Sequence, residues 1–146
     1  MDHNPVNHPL RPLYRAIGGL VGLYMIVFGL VGLIGGTGSD HRVLGQGASA
    51  AWAVLSLIIG AIVLGAILLG RNLDNQVDKY LGWGLLVVGS YGLATIRTNA
   101  NVLDFTISTI VVAYLLGLAL IMIGLYSKTG PADADAHVAH ETRVSA

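Results

Sequence analysis

Four long apolar stretches without a charged residue dominate the pattern along the chain. They contain 24, 28, 17 and 23 residues and are separated by short polar segments. A helix rises about 1.5 Å per residue, and a bilayer core about 30 Å thick needs about 20 apolar helical residues. The pattern therefore predicts an all-α polytopic membrane protein, a four-helix transmembrane bundle with spans near residues 16–36, 49–70, 80–98 and 105–127.

The third stretch is the shortest of the four. Its 17 residues between Lys79 and Arg97 cover roughly 26 Å as a helix. Long basic side chains can reach the lipid headgroups from such a helix, so Lys79 and Arg97 extend the thickness that it can span. Asp104 precedes the fourth stretch, at the position where a helix N-cap is expected.

Both ends of the chain differ from its apolar centre. Residues 1–15 form an N-terminal segment, and three prolines favour extended backbone up to residue 12. Residues 128–146 have no periodic apolar face and contain the helix-breaking pair Gly130-Pro131, which predicts a disordered tail. The transmembrane domain is thus predicted to occupy residues 16–127.

The first span has an alternative interpretation as a cleaved signal peptide, with Arg11 and Arg15 as its basic region. However, the apolar run from Ile17 to Ile34 is longer than the roughly 7–15 residues of a signal core. No Ala-x-Ala cleavage site follows it. These features favour a transmembrane helix.

Basic residues are distributed unequally between the two sides of the predicted membrane. Six lie at the N-terminus, in the second loop or in the tail, whereas only Arg42 and Arg97 lie on the other side. Cytoplasmic loops carry the excess of Lys and Arg, so both termini are predicted in the cytoplasm and the protein in the plasma (inner) membrane. Trp52 and Phe105 fall at the predicted outer ends, where aromatic rings prefer the headgroup level.

The composition agrees with this class of protein. The chain is 54% hydrophobic and only 11% charged, whereas a soluble domain has about 25% charged residues. The net charge is zero, with eight basic and eight acidic residues, so no basic surplus indicates a nucleic-acid partner. The absence of cysteine excludes disulfides, thiolate metal sites and cysteine nucleophiles.

Glycine forms the most prominent functional pattern. Most of the 20 glycines lie inside the predicted spans, where small residues let helices approach closely in lipid. Two interpretations are open: packing within the bundle, or an interface with a second copy or with other membrane proteins. The predicted helix-packing positions are Gly18, Gly22, Gly29, Gly32, Gly36, Gly60, Gly65, Gly89, Gly92, Gly117 and Gly124.

A short internal echo lies before two of the spans. Residues 42–44 read Arg-Val-Leu before the second span, and residues 101–103 read Asn-Val-Leu before the fourth. If this echo reflects a repeat, the protein consists of two parallel helix hairpins.

Chemical activity finds little support in the sequence. No Asp, Glu, Lys, Arg or His lies at the predicted hydrocarbon depth, whereas ion pathways, proton relays and intramembrane haem sites need such groups. His137 and His140 have a spacing that could chelate a metal, but the tail provides no scaffold for them. No nucleophile–base pair or phosphate loop can be assembled. The sequence therefore predicts no enzyme activity, no cofactor and no metal site.

Several short motifs between residues 8 and 127 carry a family resemblance. They are His8-Pro9-Leu10-Arg11, Tyr14-Arg15, Leu44-Gly45, Asn101-Val102-Leu103, Leu116-Gly117-Leu118-Ala119 and Gly124-Leu125. With these motifs the chain resembles the small four-helix membrane proteins of actinobacteria that are classified as a domain of unknown function. Members often have an Asn-rich, His-containing stretch that enters the second helix, but residues 45–52 of this chain contain no His. The resemblance implies the fold and an actinobacterial plasma membrane, and it implies no activity.

Two functions from different classes fit these observations. The first is a non-enzymatic accessory or scaffold protein in the lipid bilayer that associates with other membrane proteins through Gly-rich helix faces. The alternative is a small oligomeric transporter or channel for a neutral or apolar solute. Such a pore would need a polar stripe along one helix, and only scattered Ser and Thr are available. An integral membrane enzyme would need clustered ionisable residues at one membrane face, and these are sparse.

Overall fold

The computed structural model describes residues 9–36, 42–47, 49–70, 73–128 and 144. Within these ranges the chain is almost entirely helical, which confirms the predicted all-α class. The predictions for residues 1–8 and for the tail from residue 129 onward, residue 144 apart, concern positions outside the described residues. The elements are α1 (Arg11–Ile34), β1 (Arg42–Val43), β2 (Gln46–Gly47), α2 (Ala50–Leu69), α3 (Leu73–Thr95) and α4 (Ile107–Tyr126).

Helix α1 begins earlier than the apolar pattern predicts. Arg11 is its first residue, and Pro12 lies in its first turn. Proline is favoured there because the amide hydrogen that it lacks would have no helical partner at that position. The prediction of extended backbone up to residue 12 is therefore wrong for these two residues.

Hydroxyl side chains begin α2 and α4. Ser49 accepts a hydrogen bond from the Trp52 amide at 3.2 Å, and Thr106 accepts one from the Thr109 amide at 3.4 Å. The prediction that Asp104 caps α4 is wrong, since Asp104 lies before the cap and has a φ of 48°. Asp104 instead belongs to the turn that leads into the helix.

The four helices pack as two hairpins, one formed by α1 and α2 and the other by α3 and α4. Between them lies an apolar core that includes Met25, Phe28 and Leu120. Trp52 and Phe105 also lie inside this core, where their rings meet edge to face with centroids 5.0 Å apart. The prediction that these two rings face the lipid headgroups is therefore wrong.

Three of the helices, α1, α2 and α4, are long and apolar enough to cross a membrane. Large apolar side chains point outward from the bundle along their length, as Leu20, Leu68 and Leu115 do. Such an exterior suits contact with lipid and would be unfavourable in water. Helix α3 differs because Asp74 and Asp78 lie within its first two turns. The fold is therefore that of an integral membrane protein with a four-helix bundle.

The small hairpin of β1 and β2 covers one end of the bundle. The Gly47 amide donates a hydrogen bond to the Thr109 hydroxyl at 3.2 Å, which ties β2 to the start of α4. The buried Gln46 side chain donates to the Tyr24 hydroxyl on α1. This end is called the outer end below, and the opposite end, where α1 and α3 begin, the inner end.

Candidate functional site

The crossing of α1 and α2 depends on predicted helix-packing glycines. A Cβ atom on Gly60 would lie 2.6 Å from the Gly22 carbonyl oxygen and 2.9 Å from the Ile26 amide nitrogen. One heptad along α1, a Cβ on Gly29 would lie 2.6 Å from the Ala53 carbonyl oxygen. Real Cβ atoms essentially never approach other atoms so closely, so a larger residue at either glycine would force the two backbones apart.

The crossing of α3 and α4 repeats this geometry. A Cβ on Gly82 would lie 2.6 Å from the Gly117 carbonyl oxygen and 2.8 Å from the Ile121 amide nitrogen. A Cβ on Gly124 would lie 2.8 Å from the Asn75 carbonyl oxygen. Both α1 and α4 thus present the pattern Gly-x3-Ile-x2-Gly to their partner helix. Gly82, which the sequence analysis did not include among the packing positions, is central to the second crossing.

The other predicted packing glycines lie in different surroundings. Gly18, Gly89 and Gly92 are buried against side chains of neighbouring elements, and Gly32 is a buried residue of α1. Gly36 follows α1 with a φ of 98°, in the left-handed region that glycine adopts most readily.

Gly65 is the exception among the predicted packing glycines inside the helices. Apart from the neighbouring backbone of its own helix, no heavy atom of the described residues lies within 4 Å of the position that its Cβ would take. This glycine therefore makes no close helix contact inside the bundle.

Gly65 lies in an apolar groove between α2 and α3. The groove contains ≈ 490 Å³ of atom-free space, part of it open to the surroundings, and the described residues contribute no polar atom to its lining surface. This space is much larger than the roughly 30 Å³ that one water molecule occupies in the liquid. We call it the α2–α3 groove, and it is lined by Ile62, Gly65, Ala66, Leu69, Leu73 and Val77.

A polar cluster occupies the inner end of the bundle. The Arg15 guanidinium donates a hydrogen bond to the Ile67 carbonyl oxygen at the end of α2. Its Nε atom also lies 3.4 Å from an Asp74 carboxylate oxygen at the start of α3. Arg11 donates to the Ser127 carbonyl oxygen at 3.2 Å, just after α4. These two arginines therefore connect α1 to all three other helices.

The two carboxylates of this cluster are inside the bundle. The exposed fraction is 1% for Asp74 and 0% for Asp78, one helical turn further along α3. Asp78 lies against α1, because a Cβ on Gly18 would be 3.7 Å from its Oδ2 atom. Residues 71 and 72, which join α2 to α3, are outside the described residues. We call Arg15, Asp74 and Asp78 the Arg–Asp–Asp site.

Asp78 has no partner among the described residues that would stabilise a negative charge. Neither of its carboxylate oxygens has a hydrogen-bond partner among the described residues, and the ion pair of Arg15 is with Asp74. Asp78 precedes the third predicted span and lies outside the three helices that qualify as spans. Burial, assisted by the neighbouring Asp74 charge, raises the pKa of Asp78 to about 7.

This site was not predicted, because residues 71–79 fall in the loop between the second and third predicted spans. One signal was present in the sequence. The two aspartates are four residues apart, which places them on the same face of a helix that continues directly into the third apolar stretch. Arg15, the partner of Asp74, is distant along the chain, and only the structure reveals its contact with the start of α3.

The outer end contains a second set of buried polar groups. The Trp52 indole nitrogen and the Ser56 hydroxyl have no hydrogen-bond partner among the described residues. Both residues line a small pocket whose wall also includes Gln46 and Tyr24. This pocket is next to the Gln46–Tyr24 hydrogen bond that fixes the β hairpin to α1.

These observations define an integral membrane protein of the all-α class with apolar crossings and a charged inner end. Comparison of the chain with protein-family models, with curated proteins and with solved structures finds no match. Only the geometry of the chain itself therefore bears on its function.

Proposed function

We propose that the protein is a non-enzymatic accessory or scaffold protein of the plasma membrane that binds a transmembrane helix of another membrane protein in the α2–α3 groove. The observation that carries this proposal is the groove, which is apolar and open to the surroundings. Gly65 is a small residue there without a close neighbour within the bundle. Small residues without internal contacts are the positions where a helix from outside can approach closely.

The shape of the groove suits a helix. Ile62, Ala66 and Leu69 on α2 are spaced as one ridge of a helix, and Leu73 and Val77 form one turn of the opposite wall on α3. A transmembrane helix of the partner would place a ridge of its side chains between these two walls. Packing of ridges into grooves is the ordinary way in which helices associate. Since the described residues contribute only apolar atoms to the groove surface, an apolar face of the partner would match it.

A second copy of the chain fits the groove less well than a different protein does. A two-fold dimer centred on the groove would place the same concave surface of each copy against the other. Two concave apolar surfaces would leave the space between them unfilled, which sacrifices the van der Waals contact that drives association in lipid. The glycines at the two helix crossings are already in contact with the chain's own helices.

The proposed topology places both termini in the cytoplasm. The excess of basic residues at the N-terminus, the second loop and the tail supports this orientation. Arg11 and Arg15 lie at the inner end of the bundle, where their hydrogen bonds to Ser127 and Ile67 are made. The resemblance to actinobacterial four-helix proteins supports a bacterial plasma membrane as the location.

A photo-crosslinking residue in place of Leu69, on the wall of the groove, tests the proposal in the native membrane. The crosslinking protein would carry a second substitution, either Gly65→Leu or Gly19→Leu, and the two would be compared. Both glycines have intermediate exposure, and beyond the local backbone of its own helix no described heavy atom lies within 4 Å of a Cβ at either position, so we expect the bundle to accept a side chain at each. Only leucine at position 65 fills the groove.

We expect one heterologous membrane protein to form an adduct that falls at least tenfold in the Gly65→Leu background and is unchanged in the Gly19→Leu background. Mass spectrometry of the adduct identifies the crosslinked segment of the partner, which must be a transmembrane helix. Equal adduct yields in the two backgrounds would refute the proposal. So would adducts that contain only lipid or only a second copy of the chain.

A further inference from the structure

The Arg–Asp–Asp site contains two acidic groups and one basic group in a buried environment. Arg15 and Asp74 balance each other as an ion pair with a separation of 3.4 Å. Asp78 is fully buried and has no such partner among the described residues. An isolated ionised carboxylate in an apolar interior is strongly unfavourable and is normally avoided by protonation or by binding a cation.

We infer that the Arg–Asp–Asp site is a proton-binding site in which Asp78 holds one proton while Asp74 remains ionised beside Arg15. One guanidinium, one carboxylate and one protonated carboxyl group give the buried site a net charge of zero. The site therefore binds one proton, because it contains one more acidic group than basic groups. A buried acidic group at the end of a membrane bundle is also a typical position for a functional proton.

Among the described residues, the two arginines of this end are engaged by other groups. Helix α1 contributes Arg15, which is engaged by Asp74 and Ile67, and Arg11, which is engaged by the Ser127 carbonyl. Helix α4 contributes Ile123 on the Gly18 side of Asp78.

Other described residues also lie at this end of the bundle. The apolar side chain of Ile67, from α2, lies beside Gly18. On α3 itself, the backbone of Lys79 lies against Gly124 of α4, and Lys128 lies just beyond the end of α4. The pair Asp74 and Asp78 therefore remains the acidic centre of this end.

A bound metal ion is less suited to this site. The described residues contain no group of three or more His, Cys, Asp or Glu side chains that could hold a metal. The Arg15 guanidinium beside Asp74 also disfavours a second cation, because like charges repel in a medium of low dielectric constant. A proton needs only the single carboxylate that Asp78 offers.

Infrared spectroscopy of the full chain in lipid vesicles tests the inference, because a protonated carboxyl group has a C=O stretching band that an ionised carboxylate lacks. At pH 6 exposed aspartates are almost fully ionised, since their ordinary pKa is about 3.9. We expect the wild-type protein to show the band of one protonated carboxyl group at pH 6. The band should disappear reversibly as the pH is raised, and this part of the test does not depend on any variant.

Four variants then test which residues determine the protonation of the site. Asp78→Asn should abolish the band, whereas Asp104→Asn, at an exposed aspartate, should leave it unchanged. Asp74→Asn should weaken the band at least threefold, because Arg15 is then able to neutralise Asp78. Arg15→Gln should about double the band, because both carboxylates then lack a counter-charge. Circular dichroism verifies that each variant is folded.

Three results would overturn the inference. The first is the absence of the band from the wild-type protein at pH 6. The second is its persistence in folded Asp78→Asn protein. The third is a band that appears only when sodium is replaced by choline at constant ionic strength, since this would show a metal cation in place of the proton.

Discussion

A single methyl group on Gly60 is predicted to separate α1 from α2. The Cβ atom of an alanine at this position would lie 2.6 Å from the Gly22 carbonyl oxygen, whereas ordinary contacts begin at 3.4 Å. The difference, 3.4 − 2.6 = 0.8 Å, must come from movement of the two backbones, because a carbonyl oxygen cannot change rotamer. Two further atoms of Ile26 lie within 2.9 Å of the same point and prevent a sideways movement.

The magnitude follows from two opposing effects. Overpacking of a well-packed interior costs about 1–3 kcal/mol, and backbone contacts that cannot relax belong at the upper end. Alanine favours a helix over glycine by about 1 kcal/mol. We therefore expect Gly60→Ala to lower the free energy of unfolding by about 2 kcal/mol. Gly84→Ala is the matched control, because Gly84 is exposed and no described heavy atom lies within 4 Å of its Cβ position.

The assay is equilibrium unfolding in mixed micelles with increasing fractions of a denaturing detergent. Gly60→Ala should unfold at a lower fraction of this detergent than the wild-type protein. Gly84→Ala should unfold at the same fraction or a higher one, because it gains helix propensity without a collision. If both variants unfold together with or after the wild-type protein, the close crossing at Gly60 does not exist in solution.

Three further predictions concern pH, the outer end and the topology. Because the pKa of Asp78 is raised from 3.8 to about 7, the folded state binds more protons than the unfolded state between these values, so stability should fall as the pH rises from about 4 to about 7 and then level off. The full loss of stability is about 4 kcal/mol, at about 1.4 kcal/mol for each pH unit. The free energy of unfolding of Asp78→Asn, measured over the same pH range, should not show this loss. An equal pH dependence in both proteins would contradict the raised pKa of Asp78. Gln46→Leu removes the donor to the Tyr24 hydroxyl and should lower the free energy of unfolding by about 1–3 kcal/mol, whereas an unchanged thermal midpoint would show that this hydrogen bond contributes nothing. A reporter that is active only outside the cytoplasm should be inactive when fused after residue 146 and active when inserted within residues 38–47, and the opposite pattern would invert the proposed topology.

The fold class could be predicted from the sequence because uncharged stretches of helical length leave few alternatives in a bilayer. The start of α3 could not be predicted in this way, since Asp74 and Asp78 are typical of a solvated loop until Arg15 is known to lie beside them. Hydropathy reports the average polarity of a segment. It contains no information on a partner that is distant along the chain.

The glycine contacts, too, could be predicted only in part from the sequence. Small residues indicated that helices approach closely, but their spacing along one helix does not identify the neighbour on another. Gly65 and Gly60 are both glycines of α2, yet only Gly60 meets a backbone within the bundle. Similarly, the aromatic rings of Trp52 and Phe105 have the position of interface residues in the sequence, but they pack on each other in the core.

The two helix crossings also bear on how such a chain could have arisen. Tandem duplication of a two-helix unit would make α1 equivalent to α3 and α2 equivalent to α4, as the echo before the second and fourth spans suggested. The Gly-x3-Ile-x2-Gly pattern instead makes α1 equivalent to α4, because both helices contain it. The glycines that pack against this pattern are Gly60 of α2 and Gly82 of α3, so α2 is equivalent to α3. This correspondence reverses the order of the helices along the chain, so copying one gene segment behind itself cannot produce it. The two hairpins therefore share a way of crossing and not an order of helices along the chain.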